Sequence, residues 1–134
     1  MGNKRPIRFG ILGAARITPN ALIKPVQEVP EAALVAVAAR DRKRAEEFAT
    51  AHGIPRVQAT YGDVINDPEV DVIYNPLPNS HHCDWTIAAL RAGKDVLCEK
   101  PLASNAAEAQ RMAEVAKETG RFLGACPRNS QLVM

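Results

Sequence analysis

The sequence predicts a doubly wound α/β fold with a mostly parallel sheet, and three observations carry that prediction. Short apolar runs alternate with longer amphipathic stretches, which is how strands joined by helical crossovers read along a chain. Three of the amphipathic stretches stop at a glycine, Gly53, Gly93 or Gly120, as helices that close on a left-handed residue do. The segment Gly10-Ile11-Leu12-Gly13 falls where the first apolar run must hand over to a helix.

Taken in order, Ile7 to Leu12 reads as the first strand and is too short to span a membrane. Pro19, Pro25 and Pro30 crowd the next connection, so its helix is predicted to be short or bent, because an interior proline costs about 3 kcal/mol against alanine. Leu34 to Ala39 is the second strand. Asp41 to His52 follows as a helix, with Asp41 placed to N-cap it. A short strand is expected near Val57, then strands over Val70 to Tyr74, Asp95 to Cys98 and Phe122 to Ala125. Helices over Ser80 to Ala92 and Ala106 to Thr119 fill the gaps, the latter opened by Asn105 and Glu108 at capping-box spacing. Ala106, Ala109, Met112, Ala113 and Ala116 form a narrow small-residue stripe expected to pack on the sheet.

A chain of 134 residues with 46% hydrophobic content suits one domain, placed over residues 1–125, with 126–134 as a divergent tail lacking a clear period. The net charge of +2 and the lack of any long Lys/Arg block argue against nucleic acid or an acidic membrane as partner. Cys83, Cys98 and Cys126 are widely spaced and contain no CxxC pair, which predicts neither a disulfide frame nor a metal site. The expected compartment is the reducing cytoplasm, and no targeting segment is evident.

The chemistry is expected where strands end, because ligands of open α/β sheets bind beyond the carboxyl ends of the strands. From Gly13 the chain reads G-x-A-x-x-T, with Ala15 and Thr18 where a dinucleotide motif usually has glycines. An ordinary glycine turn is the alternative. Ala15 would push a pyrophosphate outward, toward side chains such as Arg16. At the end of the second strand Ala39 is neutral and Arg40 follows. NAD sites usually place a carboxylate there, whereas a guanidinium suits the 2′-phosphate of NADP, so NADP is favoured and NAD is the alternative. Asp41 could reach a ribose hydroxyl or cap a helix, and Arg42, Lys43 and Arg44 read as a solvated helix face.

Two further segments lie at the same expected edge. Tyr74-Asn75-Pro76-Leu77-Pro78-Asn79-Ser80-His81-His82 holds a rigid loop between two prolines, with Asn75 and His82 as candidates to face the crevice. Turn formation by Asn75, N-capping by Asn79 or Ser80 and a structural role for His82 are the plainer readings. Asp95-Val96-Leu97-Cys98-Glu99-Lys100-Pro101 reads as a buried strand that delivers an amine to its exit, where proline stops it. A surface pair between Lys100 and Glu99 is the plain alternative there.

With these segments quoted, the chain resembles the N-terminal domain of the glucose-fructose oxidoreductase / inositol dehydrogenase (Gfo/Idh/MocA) family. The resemblance rests on Gly10 to Ile17, Val35 to Asp41, Pro76 to His82 and Ala92 to Leu102, the last being highly specific. It implies a Rossmann domain of an NAD(P)-dependent dehydrogenase acting on sugars, polyols or diols. It further implies that Gly13, Ala14, Ala15, Arg16 and Ile17 contact the pyrophosphate and Arg40 the adenosine end. Asn75, Pro76, Leu77, Pro78 and Asn79 are assigned to the nicotinamide side, His82, Glu99 and Pro101 to the cofactor site, and Lys100 to the cofactor and the substrate hydroxyl as the catalytic residue. The family's substrate domain and its further catalytic group have no counterpart after Lys100. Gly124 to Ser130 departs from the family's linker, which suggests a truncated or frame-altered product. A small hydroxylated substrate is then expected only with a second domain. The alternative is a nucleotide-binding or self-associating module without turnover.

Overall fold

Alternate residues of the first strand enter two different cores: Phe9 and Ile11 join one apolar cluster, and Leu12 joins the other. A strand with both faces covered belongs to a parallel sheet between helical layers. The structure, a computed structural model, describes residues 6–15, 18–77, 79–99 and 105–126. Its strands are β1 (Ile7–Leu12), β2 (Ala32–Ala38), β3 (Arg56–Val57), β4 (Val72–Asn75), β5 (Asp95–Glu99) and β6 (Leu123–Cys126). All pair in parallel, in the order β3-β2-β1-β4-β5-β6, so the doubly wound fold is as expected. The order reverses beside β1, and β1 and β4 diverge to opposite halves of the sheet from there.

The connection after β1 is bent, as its prolines predict. Pro25 has no N–H to give to Ala21, and the Lys24 N–H reaches back five residues to Pro19, so Pro19–Ile23 forms a π-helical turn running into α1 (Lys24–Gln27). Helix α2 (Arg42–His52) opens at Asp41, whose carboxylate accepts from the N–H groups of Lys43 (3.0 Å) and Arg44 (3.4 Å). It closes on Gly53 at φ +70. Helix α3 (Tyr61–Ile65) is an addition to the predicted elements, a five-residue turn capped by Thr60, whose hydroxyl accepts from Asp63 N–H at 3.1 Å. Five residues show no period long enough to read. Helices α4 (Asn79–Arg91) and α5 (Ala106–Thr119) complete the layer, and Asn105 caps α5 through Glu108 N–H at 2.9 Å.

Several boundaries differ from the expected ones by one or a few residues. Val70 bonds back to Asp67 O at 3.0 Å in a turn, so β4 starts later and runs through Asn75. Ala39 falls after β2, and β6 runs to Cys126, one residue past the expected domain limit. The small-residue stripe of α5 is only partly correct. Met112 and Val115 are buried and Ala109 and Ala116 half-buried, whereas Ala106 and Ala113 are exposed, because the buried line follows Val115 one turn aside from the alanines.

Two cores result. Leu12, Ile73 and Val96 meet α3, α4 and α5 on one face; Phe9, Ile11, Val72 and Leu97 meet Leu22, Val26 and Ala49 of the first two crossovers on the other. Gly10 lies against α3, where an added Cβ would fall 2.6 Å from Val64 Cγ1.

Candidate functional site

At the end of β1, Gly13 turns the chain at φ +83, a left-handed conformation that glycine adopts without strain. Its N–H donates to Ala38 O at 2.6 Å, tying the corner to the end of β2. A Cβ here would sit 3.0 Å from Leu77 Cδ2, so space as well as backbone angle demands glycine. Ala14 and Ala15 continue the corner and line a crevice of about 740 Å³ whose other walls include Ala39, Arg40, Asp41, Pro76 and Leu77. A volume of that order suits a nucleotide-sized ligand.

Three neighbouring strands, β1, β4 and β5, end at the same side of the sheet. Ile11 is in register with Tyr74, and Tyr74 with Leu97, so Gly13, Asn75 and Glu99 all stand at the carboxyl ends of neighbouring parallel strands. The glycine corner and the strand leading to Lys100 therefore open on the same rim. A left-handed glycine, two alanines that let the backbone approach a ligand, and an exposed arginine at the end of β2 fit a dinucleotide.

Residues 7–125 match the Gfo/Idh/MocA profile, described as an oxidoreductase family with an NAD-binding Rossmann fold. The chain belongs to the Gfo/Idh/MocA family. It is similar to the trans-1,2-dihydrobenzene-1,2-diol dehydrogenase of Oryctolagus cuniculus, with 43% identity over 112 residues, 82% of this chain and 34% of that protein. A 3-ketoreductase from Actinomadura kijaniata, solved with NADP and TDP-benzene, has a TM-score of 0.84 at 36% identity, covering 90% of this chain and 37% of its own. A Synechocystis biliverdin reductase solved with biliverdin and NADP+ has a TM-score of 0.82 at 30% identity, over 90% of this chain and 37% of its own. The chain spans about a third of the length of the curated relatives it matches and corresponds to the family's NAD(P)-binding domain.

Within this Gfo/Idh/MocA domain the candidate residues divide into three groups. Gly13, Ala14, Ala15, Arg40, Pro76 and Leu77 line the crevice together. Asn75, His82 and Glu99 lie beneath its rim, not facing it. Asn75 is fully buried: its amide donates to Thr86 Oγ1 (3.1 Å) and His82 O (3.4 Å), and its Oδ1 accepts from Leu77 N–H at 3.1 Å. That ring of bonds makes Asn75 the residue that shapes the Pro76-Leu77 wall. His82 is buried under the same loop, and Glu99 is buried as the acceptor of the Tyr74 hydroxyl. Glu99 thus faces a partner on β4 and is not the exposed half of a surface pair. Arg16, Ile17, Pro78, Lys100 and Pro101 lie outside the described residues, as does the side chain of Asn79.

Two crevice residues were not singled out by the sequence. Arg44, expected on a solvated face, donates from Nη2 to Ala14 O at 3.1 Å and bridges α2 to the glycine corner. Arg40 lies ahead of the helix cap at Asp41, so no helical spacing tied Arg44 to it in the sequence. Tyr61, at the start of α3, lines the same crevice as Arg40. Arg42 does behave as expected, in an exposed pair with Glu46 at 3.3 Å. Among the described residues no helix is long and apolar enough to cross a membrane.

Proposed function

We propose that this chain is the cofactor half of an oxidoreductase that uses NADP to oxidise or reduce a hydroxyl-bearing or ketone substrate of the sugar, polyol or diol class. The observation that carries the cofactor choice is the division of labour at the end of β2. Asp41, the one carboxylate there that could take a ribose diol, points its Oδ1 at the N–H groups of Lys43 and Arg44, while Arg40 is exposed at the crevice. A guanidinium at that point favours a phosphate dianion and a carboxylate would repel it. Relatives that are diol dehydrogenases and ketoreductases support the substrate class.

Bound nicotinamide would supply the hydride acceptor or donor. The chain's own residues hold and orient it: the corner at Gly13, Ala14 and Ala15, continued by Arg16 and Ile17, takes the pyrophosphate and Arg40 the adenosine end. Pro76 and Leu77, followed by Pro78 and Asn79, wall the nicotinamide side, with Pro101 fixing the strand exit. Lys100 is assigned to the substrate hydroxyl as a cationic hydrogen-bond donor, directly after the strand whose last described residue is Glu99. Residues beyond those of this chain would close the substrate side, since hydride transfer needs surfaces on both faces of the ring. The same reading places the protein in the reducing cytoplasm, in keeping with the buried thiols Cys83 and Cys98.

The test is calorimetric titration of the chain with NADP and NAD. NADP is expected to bind at least tenfold more tightly, about 1.4 kcal/mol, and equal affinities would reject the assignment of Arg40. Lys100→Met should weaken binding of nicotinamide mononucleotide or substrate and leave 2′-phospho-ADP-ribose unaffected. An unchanged nicotinamide-end affinity removes Lys100 from the site.

A further inference from the structure

We propose that Tyr61 is a cofactor-binding residue whose phenol O–H donates to an oxygen of the adenosine-side phosphate of the dinucleotide, beside the glycine corner and on the side of Arg40; the proposal rests on the NADP reading above. The geometry that supports it comes from three directions. The Tyr61 hydroxyl lies 3.8 Å from where a Cβ on Gly13 would stand, at the face of the backbone that only glycine leaves open. A hydroxyl at that distance flanks the route by which a pyrophosphate would approach Ala14 and Ala15. The ring is held in place by Trp85, edge to face with centroids 5.2 Å apart and planes at 90°, so the hydroxyl is aimed without a bond of its own. Among the described residues no hydrogen-bond partner for that hydroxyl is found, although the ring is half-buried. A phenol whose ring is fixed and whose O–H is open to the crevice with no partner among the described residues is free to donate to a ligand there.

The electrostatics agree with the geometry. Burial pushes the Tyr61 phenol above its ordinary value, and the nearby Arg40 charge opposes that, so near neutrality the group is a protonated donor. Arg40 and Tyr61 thus line one crevice as a cation and a neutral donor, a pair suited to an anion with two kinds of oxygen.

Trp85 is the chain's single tryptophan and touches Tyr61, which gives the experiment its readout. NADP, 2′-phospho-ADP-ribose and nicotinamide mononucleotide are titrated into the wild-type chain and Tyr61→Phe, following Trp85 fluorescence and, independently, heat. Phenylalanine keeps the ring against Trp85, so the melting temperature should be unchanged. NADP and 2′-phospho-ADP-ribose are expected to bind about tenfold more weakly, as for one lost hydrogen bond to a charged group, with nicotinamide mononucleotide unaffected. Affinities within twofold of wild type overturn the proposal. Equal weakening of all three ligands, or a lowered melting temperature, overturns it as well by marking Tyr61 as a structural support. A wild-type chain that binds no dinucleotide sinks the functional reading itself, an outcome distinct from either.

Discussion

The two ends of the sheet are built from the same strands and do opposite things with their charges. At the starting end, Arg8 forms a two-point pair with the Asp71 carboxylate (3.1 and 3.2 Å) and Lys94 donates to the carbonyls of Asp67 and Val70, both at 2.6 Å, while the Asp67 carboxylate is taken up by Arg56 at 2.6 Å, reaching over from β3, and by Gln58 just after it at 2.9 Å. At the finishing end, Arg40 is exposed with no ion pair among the described residues, in a crevice it shares with Gly13, Ala14 and Ala15. Charges consumed within the protein close one end; at the other, Asp41, Arg44 and Glu99 are likewise used internally, and Arg40 is the charge left to a ligand. A binding site is therefore marked less by the presence of polar groups than by what they have not been used for.

Charge reversal at the open end should show the largest effect. Arg40→Glu places a carboxylate against the 2′-phosphate and is expected to weaken NADP about 100-fold, near 2.7 kcal/mol, while NAD binding and the melting temperature hold. A parallel loss of NAD affinity would mean that Arg40 serves the crevice generally and not the phosphate. At the closed end, Asp67→Ala should do the reverse. Asp67 has a side chain only 4% exposed, and Glu69 N–H also bonds to it at 2.8 Å, so its removal strands several donors. With Arg56 half-exposed the cost is about 2 kcal/mol in urea unfolding, with cofactor affinity unchanged in the folded chain. If Asp67→Ala left stability alone, the contrast between the two ends would be wrong.

Much of this contrast was legible in the sequence, and the remainder was hidden for a physical reason. Local patterns were readable: the Asp41 and Asn105 caps, the glycines at 53 and 120, and the strand ends that set Gly13 and Glu99 on one rim depend on residues close in sequence. What escaped depends on distance along the chain. Arg44 and Ala14 are thirty residues apart, and Tyr74 and Glu99 twenty-five, so neither contact leaves a periodic trace. The buried places of Asn75 and His82 were hidden similarly, because a polar residue beside a strand end reads alike whether it faces the ligand or props up the loop beneath. Tyr61 escaped because a five-residue helix has too few turns to show an amphipathic face.

The smallest expected effect tests the closed end through pH. Lys94 is buried, and the loss of water around its amine lowers its pKa below the ordinary 10.5, with Arg8 acting in the same direction and Asp67 and Asp71 against it. A base whose folded pKa is depressed holds its proton less tightly folded than unfolded. Unfolding therefore takes up protons between the folded value and 10.5, and this group's contribution to stability rises with pH across that window and is constant below it. Tyr61 works the other way: its raised pKa makes the folded chain the tighter proton holder above 10.0, so stability falls there. Comparing the pH dependence of urea unfolding for the wild type and Lys94→Met cancels the tyrosine and leaves the lysine. The wild type should gain on the variant as pH rises through the alkaline window, since a neutral amine can still donate to the carbonyls of Asp67 and Val70 without the penalty of a buried charge. Parallel curves would show that the amine is as well solvated folded as unfolded, and that water reaches the closed end past the hydrogen bonds of Lys94.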